Sequence, residues 1–274
     1  MDTKSKLKFG IPMSKYFILH PDLGIDFILW YRNTAKDSKQ TVKQFKEIKS
    51  QIEDVIKELS PDSNISIESL KQNLDALYNH IHKFMDKLES EKYPSKSKPY
   101  PSFFSAKDSN GLLLYLLCKL LKPEKVVETG VAYGVSSAHI LQALDENNRG
   151  ALYSIDYSFR PWQSREMLGA IIPPNLRSRW NLVYGKASKK LKPLLDSTGP
   201  IDIFIHDSSH TYSNMMFEFN TAWPAIKKDV GILISDDISF NNAFYDFCNQ
   251  RDAKPIIFSQ NADRKKYLGI IKKN

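Results

Sequence analysis

Apolar residues recur along this chain with two different periods, and the change falls near residue 100. Before it the pattern is helical. Val42, Phe45, Ile48, Ile52, Val55, Ile56 and Leu59 recur mostly at spacings of three and four, as do Leu70, Leu74, Leu77, Ile81, Phe84, Met85 and Leu88. Such spacing places one apolar stripe along each of two helices. Ser60-Pro61-Asp62-Ser63-Asn64 between them is turn chemistry, so the pair predicts an antiparallel helical hairpin whose stripe serves packing or a dimer surface. Residues 9–33 are rich in aromatics (Phe9, Tyr16, Phe17, Phe27, Trp30, Tyr31) and fit either a flap over a pocket or ordinary core. Tyr93 to Pro101 holds three prolines and reads as a linker. The expected division is a helical region over 1–100 and a second domain over 101–274.

In that second part helices alternate with short apolar strands. Strands are predicted at 125–128, 151–155, 180–183, 201–205 and 231–234. Helices are predicted at 110–121, 136–144, after a loop that follows the second strand, at 188–195, 213–226 and 241–249. Segments 255–258 and 267–271 form a final pair around a polar turn. Five strand–helix units followed by a hairpin predict an α/β fold. Its sheet is doubly wound, mostly parallel, seven-stranded and Rossmann-like, with an antiparallel C-terminal hairpin.

Sheets of this kind bind ligands at the carboxyl ends of their strands, so the residues that follow each strand carry the chemistry. Glu128-Thr129-Gly130-Val131-Ala132-Tyr133-Gly134 follows the first strand as E-x-G-x-x-x-G. Its glycines permit a tight turn and close ligand approach, and the next helix presents its N-terminal amides. A dinucleotide fingerprint would need glycine where Ala132 and Val135 stand, which argues against a dehydrogenase. Asp156 ends the second strand, where a carboxylate can accept from both hydroxyls of a ribose; the alternative is a helix cap or a surface acid. Asp207 ends the fourth strand, and Asp236 and Asp237 end the fifth. Neighbouring strands lie about 5 Å apart, so three carboxylates converge and repel. A hard cation such as Mg²⁺ relieves that repulsion, unless one acid caps a helix instead. His210, three residues after Asp207, suits a general base, or it orders its own loop with Tyr212. His206 points the other way by strand alternation.

The run Val127 to Ser136 resembles motif I of class I S-adenosylmethionine-dependent methyltransferases, and Leu152-Tyr153-Ser154-Ile155-Asp156 resembles their second-strand motif. His206-Asp207-Ser208-Ser209-His210-Thr211-Tyr212 and Gly231 to Asp237 resemble elements of a subgroup that includes macrocin-type and other sugar O-methyltransferases. The resemblance covers about residues 102–274. It implies an enzyme that O-methylates a small-molecule hydroxyl, with S-adenosyl-L-methionine as cofactor and Mg²⁺ as metal. Glu128, Gly130, Gly134, Ser136, Asp156, Lys186, Ala187 and Asp207 would then meet the cofactor. Asp207 and His210 would be catalytic, and Asp207, Asp236 and Asp237 would hold the metal. Lys186 stands where the family often has an acid that reaches the adenine, and Trp162 is placed to cover the adenine face or simply to pack.

Composition narrows the rest. With 42% hydrophobic and 12% aromatic residues, a chain of 274 is globular rather than disordered. The longest apolar run, 111–121, is too short to cross a bilayer, and Met1 to Phe9 has no secretory h-region. Cys118 and Cys248 lack metal spacing and read as buried thiols, which favours the cytoplasm. The net charge of +8 is spread along the chain. Its one cluster, Arg264, Lys265, Lys266, Lys272 and Lys273, reads as a solvated hairpin more than a nucleic-acid surface. A nucleic-acid amino-methylating enzyme would show D/N-P-P-Y/F after the fourth strand, where Asp207-Ser208-Ser209-His210 stands. A metal-independent N- or O-methyltransferase and a non-catalytic cofactor-binding protein are the remaining alternatives. A homodimer through the N-terminal helices is the expected assembly.

Overall fold

The computed structural model describes residues 13–61, 66–101, 108–158, 160–259 and 266–274. Among them seven strands form one sheet in the order β3-β2-β1-β4-β5-β7-β6. They are β1 (Lys125–Thr129), β2 (Ala151–Asp156), β3 (Trp180–Tyr184), β4 (Ile203–His206), β5 (Ile232–Ser235), β6 (Ile256–Phe258) and β7 (Leu268–Lys272). The first five run parallel, and β7 is antiparallel to both β5 and β6. The doubly wound sheet and its terminal hairpin are as the sequence predicts, but the helix expected between β2 and β3 is absent among the described residues: Gly169 and Pro173-Pro174 break the segment into two short 3-10 turns, Arg165–Met167 and Pro174–Arg179.

Alternation along each central strand builds two cores. Val126, Ile203, Ile205, Ile232 and Ile234 point to one face, and Val127, Phe204 and Leu233 to the other, all buried. A strand covered on both faces reads as an unbroken apolar run, which is why these segments stand out in the sequence. The second face is covered by α7 (Ala187–Thr198), α8 (Tyr212–Ala222) and α9 (Ala243–Gln250). The first face is covered by α5 (Asp108–Leu121) and α6 (Val135–Glu146). Over these lie α2 (Ile52–Leu59), α3 (Ile67–Gln72) and α4 (Asp75–Ser90). Leu112 to Cys118 are buried all round, as expected for a helix with packing on both sides.

The N-terminal region departs from the expected hairpin. Ile52, Val55, Ile56, Leu74, Leu77 and Ile81 join the same core as α5 and the sheet instead of facing one another in a separate unit. The first predicted helix also starts ten residues late. Residues 41–50 are not helical: Lys49 forms a parallel bridge with Phe258, and its N–H donates to the Ile257 carbonyl at 2.7 Å. The unpaired edge of β6 competes for this backbone, and an apolar spacing over seven residues cannot outweigh edge hydrogen bonds. Phe45 still buries its ring, against Phe244 and Tyr245 of α9. The Pro-rich stretch is irregular but packed: Tyr100 is buried against Tyr133, with reciprocal hydrogen bonds at 2.8 and 3.1 Å. The turn at 62–64 lies outside the described residues, as do Arg264 and Lys265 of the basic cluster. Lys273 in that cluster is half-buried, and its ammonium donates to the carbonyls of Trp223, Pro224 and Ile226.

The aromatic N-terminal segment contains α1 (Pro21–Asp37), which lies across the carboxyl ends of the strands. Asp22 and Asp26 pair with Lys186 just after β3, Asn33 donates to Ser213 at 3.0 Å, and Asp37 accepts from the Tyr212 N–H at 2.7 Å at the start of α8. The helix therefore spans from the β3 side of the sheet to the β4 side. Its outer face and the residues just before it leave Ile18, Leu19, Ile25, Ile28, Leu29 and Tyr31 exposed.

Candidate active site

The parallel register sets the carboxyl ends of β2, β1, β4 and β5 side by side, pairing Thr129 with both Ile155 and His206, and His206 with Ser235. The loop that leaves β1 rests directly on the end of β4. Gly130 has φ +86°, and a Cβ there would lie 2.1 Å from the Asp207 carbonyl oxygen. No side chain fits, so the glycine lets the loop after β1 and the Asp207 loop touch. Gly134 (φ +91°) caps α6, and its missing Cβ would meet Gly169 at 2.8 Å. Its open side is thus taken up by the connection after β2, not left toward a ligand.

Asp156 organises the same loop. One carboxylate oxygen accepts from the Val131 and Ala132 N–H groups at 2.8 and 3.0 Å, and the other from Tyr157 at 2.7 Å. Burial holds its carboxyl above the usual range despite these three donors. A carboxylate offers about four acceptor positions, so one remains for a ribose hydroxyl. Glu128 lies beneath the loop, 1% exposed. One oxygen accepts from Ser137 and from Ser154, the latter at 2.5 Å, while the other has no partner. Burial pushes its carboxyl up to about 7. Ser136 is buried in the first turn of α6, beside the same acid. Glu128 and Ser136 therefore fasten the loop from within.

Lys186 precedes α7 and turns its ammonium to Asp26 and Asp22 of α1, while Ala187 begins α7 and packs on the second core. The side chain at this position is thus engaged by the α1 acids. Their spacing of four along a helix is readable in the sequence, but the distant partner is not.

On the β4 side, single donor atoms of Asp207, His210 and Asp236 lie within 4.8 Å of one another. His210 Nε2 is 3.6 Å from Asp207 and has no hydrogen-bond partner. Asp236 accepts from Asn110 at 3.2 Å. Asp237, expected in this group, has φ +48° and lies 3.8 Å from Lys266. The turn after β5 directs it to that cation, and His210 takes the third place. Burial raises Asp207 well above its ordinary value, with Asp236 and Asp237 adding repulsion. Burial and Asp237 push Asp236 up to about 7. Burial, helped by His206 and Lys266, pushes His210 down to about 3, so its ring stands neutral. Two crowded carboxyls and a neutral imidazole are a donor set suited to a divalent cation, whose charge would remove the repulsion.

His206 is fully buried and points into the α8 side, where Nδ1 lies 2.6 Å from Glu218. Glu218, also fully buried, takes further hydrogen bonds from Thr129, Ser208 and Asn214. The sequence reading missed this acid, because a Glu inside an amphipathic helix carries no signal of its buried partners.

Comparison with known proteins agrees with this arrangement. The family described as "Methyltransferase domain" matches residues 127–238, which run from β1 to just beyond Asp237. Among solved structures, a Podospora anserina methyltransferase bound to SAH superposes with a TM-score of 0.54 at 13% identity, over 86% of this chain and 99% of that one. The O-methyltransferase TomG of Streptomyces achromogenes, solved with SAM, gives 0.55 at 16% identity, over 73% and 90%. A Bacillus cereus O-methyltransferase in complex with SAH gives 0.51 at 15%, over 81% and 100%. No curated protein sequence matches the chain. Residues 127–238 thus match a methyltransferase domain, and the sheet has the fold of methyltransferases solved with SAM or SAH. The subgroup resemblance to O-methyltransferases read from the sequence is consistent with these neighbours.

Proposed function

We propose that the chain O-methylates a hydroxyl of a small molecule, using a divalent cation and His210. The carrying observation is the cluster of Asp207, His210 and Asp236 beside the loop that Gly130 presses onto Asp207. S-adenosylmethionine would supply an electrophilic methyl group. Asp156 and the Gly130 loop would hold its nucleoside and methionine parts on the β1–β2 side. A cation such as Mg²⁺, held by the Asp207 and Asp236 carboxylates, would lower the pKa of an acceptor hydroxyl. His210 Nε2, unpartnered and neutral, is the atom available to take the hydroxyl proton, with Asp207 at 3.6 Å to stabilise the imidazolium. Positioning and charge then supply the rate. Similar solved structures include O-methyltransferases, one of them named a putative caffeoyl-CoA O-methyltransferase of Staphylococcus aureus, which supports the same reaction class here.

Three further readings belong with this one. Selectivity for the acceptor resides in the first hundred residues, through α1 over the strand ends. A second copy of the chain covers the exposed face of α1. The buried thiols Cys118 and Cys248 suit the reducing cytoplasm; no described helix is long and apolar enough to cross a membrane.

Transfer of labelled methyl from S-adenosylmethionine to a panel of vicinal diols, aromatic and sugar-based, tests the reaction. Asp207→Ala and His210→Ala should each slow turnover about a hundredfold or more, and EDTA should abolish it, with SAH affinity kept. Full turnover after EDTA would remove the cation, and full turnover in both variants would remove the assignment of the site.

A further inference from the structure

The two loops that must face each other across the reacting atoms leave the sheet from paired residues. Thr129 precedes Gly130, His206 precedes Asp207, and the two are partners in the register of β1 and β4. Both side chains end on one oxygen of Glu218, at 2.5 Å from Thr129 Oγ1 and 2.6 Å from His206 Nδ1. The other oxygen accepts from Ser208 Oγ at 2.7 Å and Asn214 Nδ2 at 3.1 Å. Asn214 also donates to the Ser208 hydroxyl and the Ser209 carbonyl, each at 3.0 Å, and so holds the stretch between Asp207 and His210. Four donors fill the four acceptor positions of one carboxylate. Glu218, Thr129 and His206 are fully buried, so the two hydrogen bonds that tie the loop origins lie in a low dielectric, where an unmet partner is costly, while Ser208 and Asn214 are half-buried.

Glu218 itself reaches none of the reacting groups. It sits at the end of the second turn of α8, behind the carboxyl ends of β1 and β4. We propose that Glu218 is a positioning residue that fixes the Asp207–His210 loop relative to the cofactor loop, through Thr129, His206 and Ser208. This rests on the assignment of Asp207 and His210 given above. Direct methyl transfer needs donor and acceptor atoms held close and in line, and a misplacement of about 1 Å costs on the order of a hundredfold in rate. The carboxylate is tied by side chains to both loop origins. Only an ionised acid matches the donor set, and burial, which alone would raise its pKa, is outweighed by His206 and the hydroxyls, so the carboxyl stays charged. A Gln at this position would turn an amide N–H₂ toward two of the four donors.

Thr129→Val, Thr129→Ser and Glu218→Gln test the proposal, compared in the full chain with and without SAH. The first readout is amide hydrogen exchange. Thr129→Val and Glu218→Gln should speed exchange over residues 206–212 at least tenfold. Exchange over 135–146 should stay as in the wild type, and the calorimetric Kd for SAH should move less than threefold. Thr129→Ser, which keeps the hydroxyl, should behave as the wild type. The second readout is turnover of 1,2-dihydroxybenzene with Mg²⁺, per SAH-titrated site. There kcat should fall ten- to a hundredfold at unchanged KM. Should Glu218→Gln not fold, the two Thr129 variants decide alone. Unchanged exchange over 206–212, or acceleration spread evenly through the domain, would overturn the proposal. Wild-type protein that takes up SAH but leaves the diol untouched would instead count against the acceptor reading, with the exchange result still deciding the role of Glu218.

Discussion

Replacing Glu128 by Gln removes one ionisable group from beneath the cofactor loop and keeps its shape. The carboxyl is 1% exposed, and burial lifts it from its ordinary 4.5 to about 7. Below about pH 4.5 both folded and unfolded chains hold the proton; above about pH 7 neither does. Between these values the folded protein keeps a proton that the unfolded chain has released, so stability falls as pH rises. At 1.36 kcal/mol per pH unit, that interval amounts to about 3 kcal/mol. The amide introduced by Glu128→Gln would keep an oxygen for Ser137 and Ser154, and would place its N–H₂ where the Glu oxygen has no partner. That unmet donor costs about 1–3 kcal/mol at every pH, so the slope is diagnostic and the offset is not. Urea unfolding at several pH values from 4.5 to 8 measures both. Wild-type stability should fall about 3 kcal/mol more than that of Glu128→Gln across the range. Parallel curves would refute the argument and mean that the carboxyl is ionised in the folded protein throughout.

Two other outcomes follow from α1. Asp26→Lys or Lys186→Asp should loosen that helix, raising its proteolysis rate about fivefold for a partly exposed pair worth ~1 kcal/mol, and the double exchange should restore it; two additive losses would deny the pairing. Ile25, Ile28, Leu29 and Tyr31 on its outer face, with Ile18 and Leu19 just before it, leave large apolar side chains exposed together. Sedimentation should therefore find a dimer in the wild type and a monomer in Ile28→Asp, whereas a wild-type monomer at tens of micromolar would leave that face without a second copy.

The parts of the fold that can be read from the sequence are those where one constraint dominates. Val126-Val127, Ile203 to Ile205 and Ile232 to Ile234 are buried on both faces and so announce strands without help from partners. Asp156, Asp207, Asp236 and His210 follow from those strands, since topology alone brings strand ends together. Residues 41–50 defeat the same reasoning, because their apolar spacing fits a helix while the free edge of β6 claims their backbone. Asp237 is misjudged for a local reason: a left-handed turn at this residue sends its carboxylate to Lys266, which lies 29 positions away in sequence. The links from Lys186 to Asp26 and from Glu218 to Thr129 and His206 are tertiary pairings between single polar residues. No periodicity encodes them.

Calorimetric titration of SAH into the wild type and Asp156→Ala tests the central claim, a nucleoside cleft built on the ends of β1, β2 and β4. The wild type should bind one equivalent, and Asp156→Ala should bind at least about tenfold more weakly, the loss of a charged hydrogen-bond acceptor. No heat in the wild type, or equal affinity in the two proteins, would contradict it.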